Sequence, residues 1–436
     1  MTGDVIYAEA SRDPAYDSDL SKPFHYLSHT ELLCSPRMSG RTPPALPSGS
    51  AVEAIIVPTI RDASHLRSAV DLATQLGCPL IIIYSRRSPD ELANIHSKLT
   101  NGKLIVIGLP ADLPRHLEEL LASGADAHPR GASEGPLDIS RKRNLGLLLA
   151  KLCGWTRILF LDDDIRDLGP EQVDQALSLL PEYPVVGFQV RDYPDNSVVS
   201  HAKRLAGWQQ DVFISGGSLF VDPQHLNGFF PPIYHEDWFC SLNHICAGTA
   251  AVAGVVRQLA WNPFATPRRA RLEEFADILG EGLLWLVHHK RDLSFPQESF
   301  WAEATDRSFW RSTLRHRAVL LDEVERRLLG QGPQDGYTAA ALVSVKEAQS
   351  ERSELTPEDF ASFVRQWLRD SAKWQDRLAE LPRVGSIAGA LAKLGLSRST
   401  FADISEPGEL SATALTPTRR PGRRLAVHLT TMVGRS

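Results

Sequence analysis

The sequence predicts an α/β protein: a mixed, mainly parallel sheet with flanking helices, followed by a mostly helical C-terminal region. Three observations carry this. Short, continuously apolar, β-branched runs such as Ala54-Ile55-Ile56-Val57 recur through the first half of the chain. Stretches with apolar residues at helical spacing separate them. Strands buried on both faces read as such runs, and their alternation with helices marks a parallel sheet covered on both sides. Beyond 266 the apolar residues fall at helical spacing alone.

The elements follow in order. Residues 1–50 form an extension ending in a Pro/Gly/Ser linker, with Phe24-His25-Tyr26-Leu27 as a segment able to dock. The first strand ends at Pro58, and Leu66, Ala69, Val70, Ala73 and Leu76 predict a helix stopped by Gly77. Strands over 79–84 and 104–107 flank a helix over 90–99. A loop over 123–136 precedes a helix over 140–153, and the strand over 157–161 runs into Asp162-Asp163-Asp164. Strands over 185–190, 212–214 and 218–221 follow, the last two separated by Ser215-Gly216-Gly217. Leu272, Phe275, Ile278, Leu279, Leu283 and Leu286 predict a helix whose acidic residues (Glu273, Glu274, Asp277, Glu281) form its polar side. Phe360, Phe363, Val364 and Trp367 predict another. The chain thus divides into an extension (1–50), a catalytic α/β domain (51–265), a helical region (266–400) and a basic, flexible tail (401–436).

Composition removes several classes. With 436 residues, 43% hydrophobic and 23% charged, the chain is long enough for a large core. A net charge of −6 argues against a nucleic-acid binder. No apolar run is long enough to span a membrane, and the first 30 residues lack the apolar core of a signal peptide. Five cysteines without CxxC pairing argue against a disulfide framework or a structural zinc site, and point to a reducing cytoplasmic setting.

The chemistry concentrates at strand ends, where ligands of open α/β sheets bind. In an extended segment Asp162 and Asp164 share a face, able to hold one Mn²⁺ or Mg²⁺ while Asp163 turns elsewhere. A solvated turn is the plain alternative. Arg141-Lys142-Arg143-Asn144 at a helix start suits a bound phosphate, or else forms a solvated basic face. Gly216-Gly217 permits close backbone approach to a ligand. Glu236-Asp237, between Tyr234 and Trp238, reads both as a helix start and as partly desolvated acids suited to general-base work beside rings on which a sugar can stack.

In this order the motifs resemble GT-A-fold nucleotide-sugar glycosyltransferases of the family 2 type, over about Val52 to Gly248. The resemblance implies that Asp162 and Asp164 hold Mn²⁺ or Mg²⁺ on the donor diphosphate and that Asp163 reaches the ribose or sugar. It implies that Asp237 is the base that deprotonates an acceptor hydroxyl. Arg143 and Asn144 would line the diphosphate, and Pro58, Thr59 and Arg61 the nucleotide. Gly216, Gly217, Glu236 and Trp238 fall on the acceptor side. The implied donor is a UDP- or GDP-sugar, and the transfer is inverting and non-processive. A retaining enzyme would add a histidine ligand, for which His288 and His289 stand in the right part of the chain. Tyr84-Ser85-Arg86-Arg87 replaces the family's base-binding acid, and its Gln-x-x-Arg-Trp is absent. A nucleotidyltransferase or a non-catalytic binding module remain alternatives, and the oligomeric state, a homo-oligomer included, stays open.

Overall fold

The structure is a computed structural model. It describes residues 28–35, 51–85, 104–291, 297–396 and 401–403, apart from single residues and pairs within them, together with Glu91. The expected helix over 90–99 and the Phe24–Leu27 segment lie essentially outside these residues, as does the tail beyond 403.

A nine-stranded mixed sheet is ordered β5-β8-β6-β7-β4-β1-β2-β3-β9. Its strands are β1 (Ala54–Thr59), β2 (Leu80–Tyr84), β3 (Leu104–Gly108), β4 (Ile158–Leu161), β5 (Ile165–Arg166), β6 (Val185–Arg191), β7 (Ile214–Val221), β8 (Ala250–Gln258) and β9 (Phe401–Asp403). Strands β4, β1, β2 and β3 are mutually parallel, as are β6 and β8. β7 runs antiparallel to both β4 and β6 and joins the two parallel groups. β9 adds antiparallel to β3, so the first residues of the expected tail belong to the sheet.

Alternation sorts the strand residues onto two faces. Ala54 and Ile56 belong to one core and Ile55 and Val57 to the other. Helices α1 (Arg67–Leu76) and α4 (Pro170–Leu179) cover the second face. The first is covered by α3 (Glu134–Cys153), α6 (Glu236–Cys246) and the C-terminal helices α7 (Arg268–Arg291), α9 (Arg307–Gly330) and α11 (Pro357–Ala379). α2 (Arg115–Leu121), α8 (Gln297–Ala304) and α12 (Ile387–Lys393) pack at its margins, and α5 (Val198–Leu205) packs with α7, α9 and α10 (Gly336–Glu354) around a third cluster. None of the described helices is long and apolar enough to cross a membrane.

Several expectations change in informative ways. Pro58 lies inside β1 rather than ending it, and this is tolerated because β4 pairs with β1 only as far as Ile56. Helix α3 starts at Glu134, six residues early, because Pro136 falls in the first turn, where its missing N–H costs nothing. Ser215-Gly216-Gly217 does not interrupt two strands but sits in the buried interior of the single strand β7. Part of the extension is docked: His29 and Leu32 are buried, and Cys34 pairs with Ala251 at the edge of β8.

The largest change concerns α7. Glu273, Glu274 and Asp277 are not a solvated face but are buried to within 5%. Arg317 of α9 pairs with both Glu274 and Asp277, at 2.6 Å each. Leu272, expected in the core, is exposed instead.

Candidate active site

The carboxyl ends of β1 and β4 lie side by side, and both carry charge. After Leu161 the chain forms a turn closed by Ile165 N donating to Asp162 O at 3.2 Å, not an extended segment. The three acids therefore splay, and Asp162 and Asp164 do not share a face as expected. Asp163 accepts from Thr59 Oγ1 at 2.5 Å and from Arg61 Nη1 at 2.9 Å. Asp164 Oδ2 accepts from Arg61 Nη2 at 3.3 Å and Gln258 Nε2 at 3.4 Å. Burial, set against these donors, raises the carboxyls of both Asp163 and Asp164. Asp164 Oδ1 is buried with no hydrogen-bond partner among the described residues. Among those residues no three His, Cys, Asp or Glu side chains form a ready metal cluster.

Asp162 turns the other way. Arg143 Nη2 donates to its two oxygens at 3.0 and 3.1 Å, and Arg143 Nη1 donates to Glu236 Oε1. Burial opposes the Arg143 charge, and Asp162, Glu236 and Asp237 together outweigh it. Burial, with Arg143 opposing it, pushes the Glu236 carboxyl up. Asp237 lies in the first turn of α6, where the helix dipole favours an anion. Its Oδ2 accepts from Gly216 N at 2.5 Å and its Oδ1 from Trp238 N at 2.9 Å.

The glycine pair acquires a specific reason. A Cβ on Gly216 would stand 2.5 Å from Arg143 Nη1 and 2.9 Å from Asp237 Cβ, and one on Gly217 would stand 3.1 Å from Asp162 Oδ2. The glycines make room for the site's own charged groups, and neither lines the cavity described below, so the expected acceptor contact is replaced by a packing role. Gly216→Ala should therefore cost about 1–3 kcal/mol by overpacking. Chemical denaturation reads this, and an unchanged midpoint would place Arg143 elsewhere.

The basic run 141–144 lies two turns into α3, not at its start, so no helix-terminus phosphate site exists there. Arg141 pairs with Glu118. Lys142, buried, donates to Thr59 O at 2.9 Å and Asp138 Oδ2 at 2.7 Å, tying α3 to the end of β1. Asn144 is wholly buried; its amide donates to Leu121 O and Phe230 O and accepts from Phe230 N. It braces the backbone and is not available to a diphosphate.

Arg143, Asp162, Glu236, Asp237 and Trp238 line one cavity of about 540 Å³. Its far wall comes from the helical region, through Arg269, Leu272 and Glu273 of α7. Asp164, Thr59 and Arg61 lie outside this lining. His288 faces His29, and His289 Nδ1 lies 2.9 Å from Trp285 O; neither lines the cavity. No family model matches this chain, and no curated protein matches its sequence.

The sequence reading missed His235 and its support. His235 caps α6 in the left-handed region (φ 64°), where a non-glycine residue is strained, and its ring stacks on Trp238 at 3.7 Å. Its Nε2 lies 3.1 Å from Asp277 Oδ1, and Asp277 Oδ2 also accepts from Ser197 Oγ and Arg317 Nη2. A signal existed: Arg317 interrupts the apolar stripe Trp310, Leu314, Leu321 on α9, where a cation needs a buried partner.

Burial pushes the His235 imidazolium down, but Asp277 more than offsets this and the net shift is upward. A raised histidine contributes stability that is complete below its unfolded value of about 6.5 and is lost as pH rises through the folded value. His235→Asn, which tolerates the left-handed backbone, should therefore cost more stability at pH 6 than at pH 9. Equal costs in paired denaturation curves would deny the ion pair.

Proposed function

We propose that the protein is a metal-dependent glycosyltransferase that moves a sugar from a nucleoside-diphosphate sugar, UDP- or GDP-linked, to an acceptor hydroxyl, with inversion. One observation carries this reading: a strand-end acid, Asp162, and a helix-start acid, Asp237, line one cavity, with the buried Arg143 guanidinium bonded to Asp162 and close to Asp237. That pairing is what transfer with inversion needs, an electrophilic centre near the strand end and a base on the opposite face of the sugar. The resemblance of the ordered motifs points the same way.

Asp164 is the residue that would hold Mn²⁺ or Mg²⁺, since its Oδ1 is a buried carboxylate oxygen without a partner among the described residues. Arg61, its present neighbour, has a side chain 43% exposed and pairs with Asp163 as well. A divalent cation held there would supply neutralising charge for a leaving diphosphate. Thr59 and Arg61 border the nucleotide end. Arg143 fixes Asp162 and Glu236 around the sugar. Asp237, anchored by two backbone N–H groups, takes the proton of the acceptor hydroxyl as its oxygen bonds to the anomeric carbon and the bond to the diphosphate breaks. Among the described residues all five cysteines are free, in keeping with a cytoplasmic setting.

Thermal shift with UDP- and GDP-sugars, with and without Mn²⁺, tests the reading. A ligand at about 100 times its Kd stabilises the fold by about 2.7 kcal/mol, and the shift should appear only with metal present. No metal-dependent shift across the panel would favour a non-catalytic binding module.

A further inference from the structure

His235 is only 6% exposed, yet its ring forms part of the cavity wall. Two contacts fix that ring. Trp238 stacks on it at 3.7 Å with 18° between the planes, and Nε2 lies 3.1 Å from Asp277 Oδ1. Asp277 is held from its other side, where Oδ2 accepts from Ser197 Oγ at 2.9 Å and Arg317 Nη2 at 2.6 Å. Arg317 also binds Glu274. With His235 protonated, the buried cluster sets two cations, His235 and Arg317, against two carboxylates, Asp277 and Glu274.

The other charges around the ring are Asp237 on α6 and Glu281 on α7, the latter bonded to His29 of the docked extension. Burial lowers the imidazolium, and Asp277, then Asp237 and Glu281, more than restore it. Nε2–H is committed to Asp277. Nδ1 has no hydrogen-bond partner among the described residues. An imidazolium carries hydrogen on both nitrogens, so the cavity wall holds a charged donor that an oxygen of the occupant can satisfy. Asp237, two positions along the same helix start, lines the same cavity as an acceptor.

We propose that His235 is an acceptor-binding residue: its Nδ1–H donates to one oxygen of a neutral polyol whose reacting hydroxyl is held at Asp237. The cavity would thus take a compound with more than one hydroxyl, such as a sugar, in preference to a simple alcohol. The word acceptor rests on the transferase reading; a polyol bound between an imidazolium and a carboxylate does not. The contact is pH-dependent. As pH rises through the folded value, above the ordinary 6.5 or so, the ring keeps one hydrogen on Nε2 for Asp277, and Nδ1 stops donating.

Histidine NMR of the intact protein, with the His235 signal assigned by its absence from His235→Asn, tests this with two probes built on one ring size, myo-inositol and cyclohexanol. At about pH 6, inositol should shift the His235 signal and bind roughly tenfold or more tightly than cyclohexanol, the worth of a hydrogen bond from a charged donor. At about pH 9 that advantage should be gone. Asp277→Asn, which leaves Arg317 its Glu274 partner, should move the loss to lower pH; if that variant does not fold, the pH series on the parent protein decides. Equal binding of the two probes at the lower pH, no shift of His235 by inositol, or an advantage undiminished at the higher pH would overturn the proposal. The expected preference without any nucleotide-sugar response would instead remove the transferase reading and keep the polyol site. A metal-dependent nucleotide-sugar shift with equal binding of the two probes would remove only this inference.

Discussion

Asp237→Asn should lower sugar transfer by roughly 10²- to 10⁴-fold, the usual worth of a positioned general base, while leaving donor binding in place. The amide keeps the shape of the carboxylate but cannot take the acceptor proton. Arg143 retains Asp162 and Glu236 as partners, so the surrounding charges stay paired. One structural cost is expected. Both Asp237 oxygens accept backbone N–H groups, from Gly216 and Trp238, and an asparagine has a single oxygen for the two. The resulting mismatch should cost about 1–3 kcal/mol of stability, which a denaturation curve separates from the chemical effect. Transfer at the parent rate by a folded Asp237→Asn protein would move the base elsewhere, with Glu236 the next candidate in the same cavity.

Arg317→Ala should be the most destabilising single change, at about 3–5 kcal/mol, the cost of leaving buried charges unpaired. Arg317 donates to Glu274 through Nε at 2.8 Å and Nη2 at 2.6 Å, and Nη2 also reaches Asp277 at 2.6 Å. All three side chains are buried. Removing the guanidinium strands two carboxylates beneath the site, and Asp277 is also the group that holds His235 at the start of α6. Arg317→Met combined with Glu274→Gln should cost less than Arg317→Met alone, since the double change removes a charge along with its partner. Chemical denaturation of the single and double variants checks this. A loss for Arg317→Ala below about 1 kcal/mol, the range of an exposed pair, would show that water reaches the cluster.

The parts of this molecule that were legible in its sequence are those fixed locally. The apolar runs of β1 to β4 announce buried strands because successive residues enter opposite cores, so every position is covered. The acids after Leu161 and the Glu236-Asp237 helix start were readable from position alone. What stayed hidden depends on partners distant in the chain. The triple aspartate was read as extended, yet the turn closed by Ile165 sends Asp162 to Arg143 and its two neighbours to Arg61. Gly216 and Gly217 were read as ligand-facing because nothing local reveals that Arg143, over seventy positions earlier, fills the space beside Gly216. The acidic side of α7 looked solvated because its cation lies on α9. Residues 28–35 looked like linker because the aromatic and apolar surface that buries His29 comes from Phe213 and Trp238.

The central claim is that the cavity bounded by Asp162 and Asp237 transfers a sugar out of a phosphate ester. Mass spectrometry of nucleoside diphosphate released from a panel of UDP- and GDP-sugars, in the presence of a hydroxyl acceptor, tests it most directly. The account predicts release from at least one donor, dependent on Mn²⁺ or Mg²⁺, matched by sugar gained on the acceptor and lowered roughly 10²-fold or more by Asp237→Asn. Release from none of the donors, or release that Asp237→Asn leaves untouched, would contradict it.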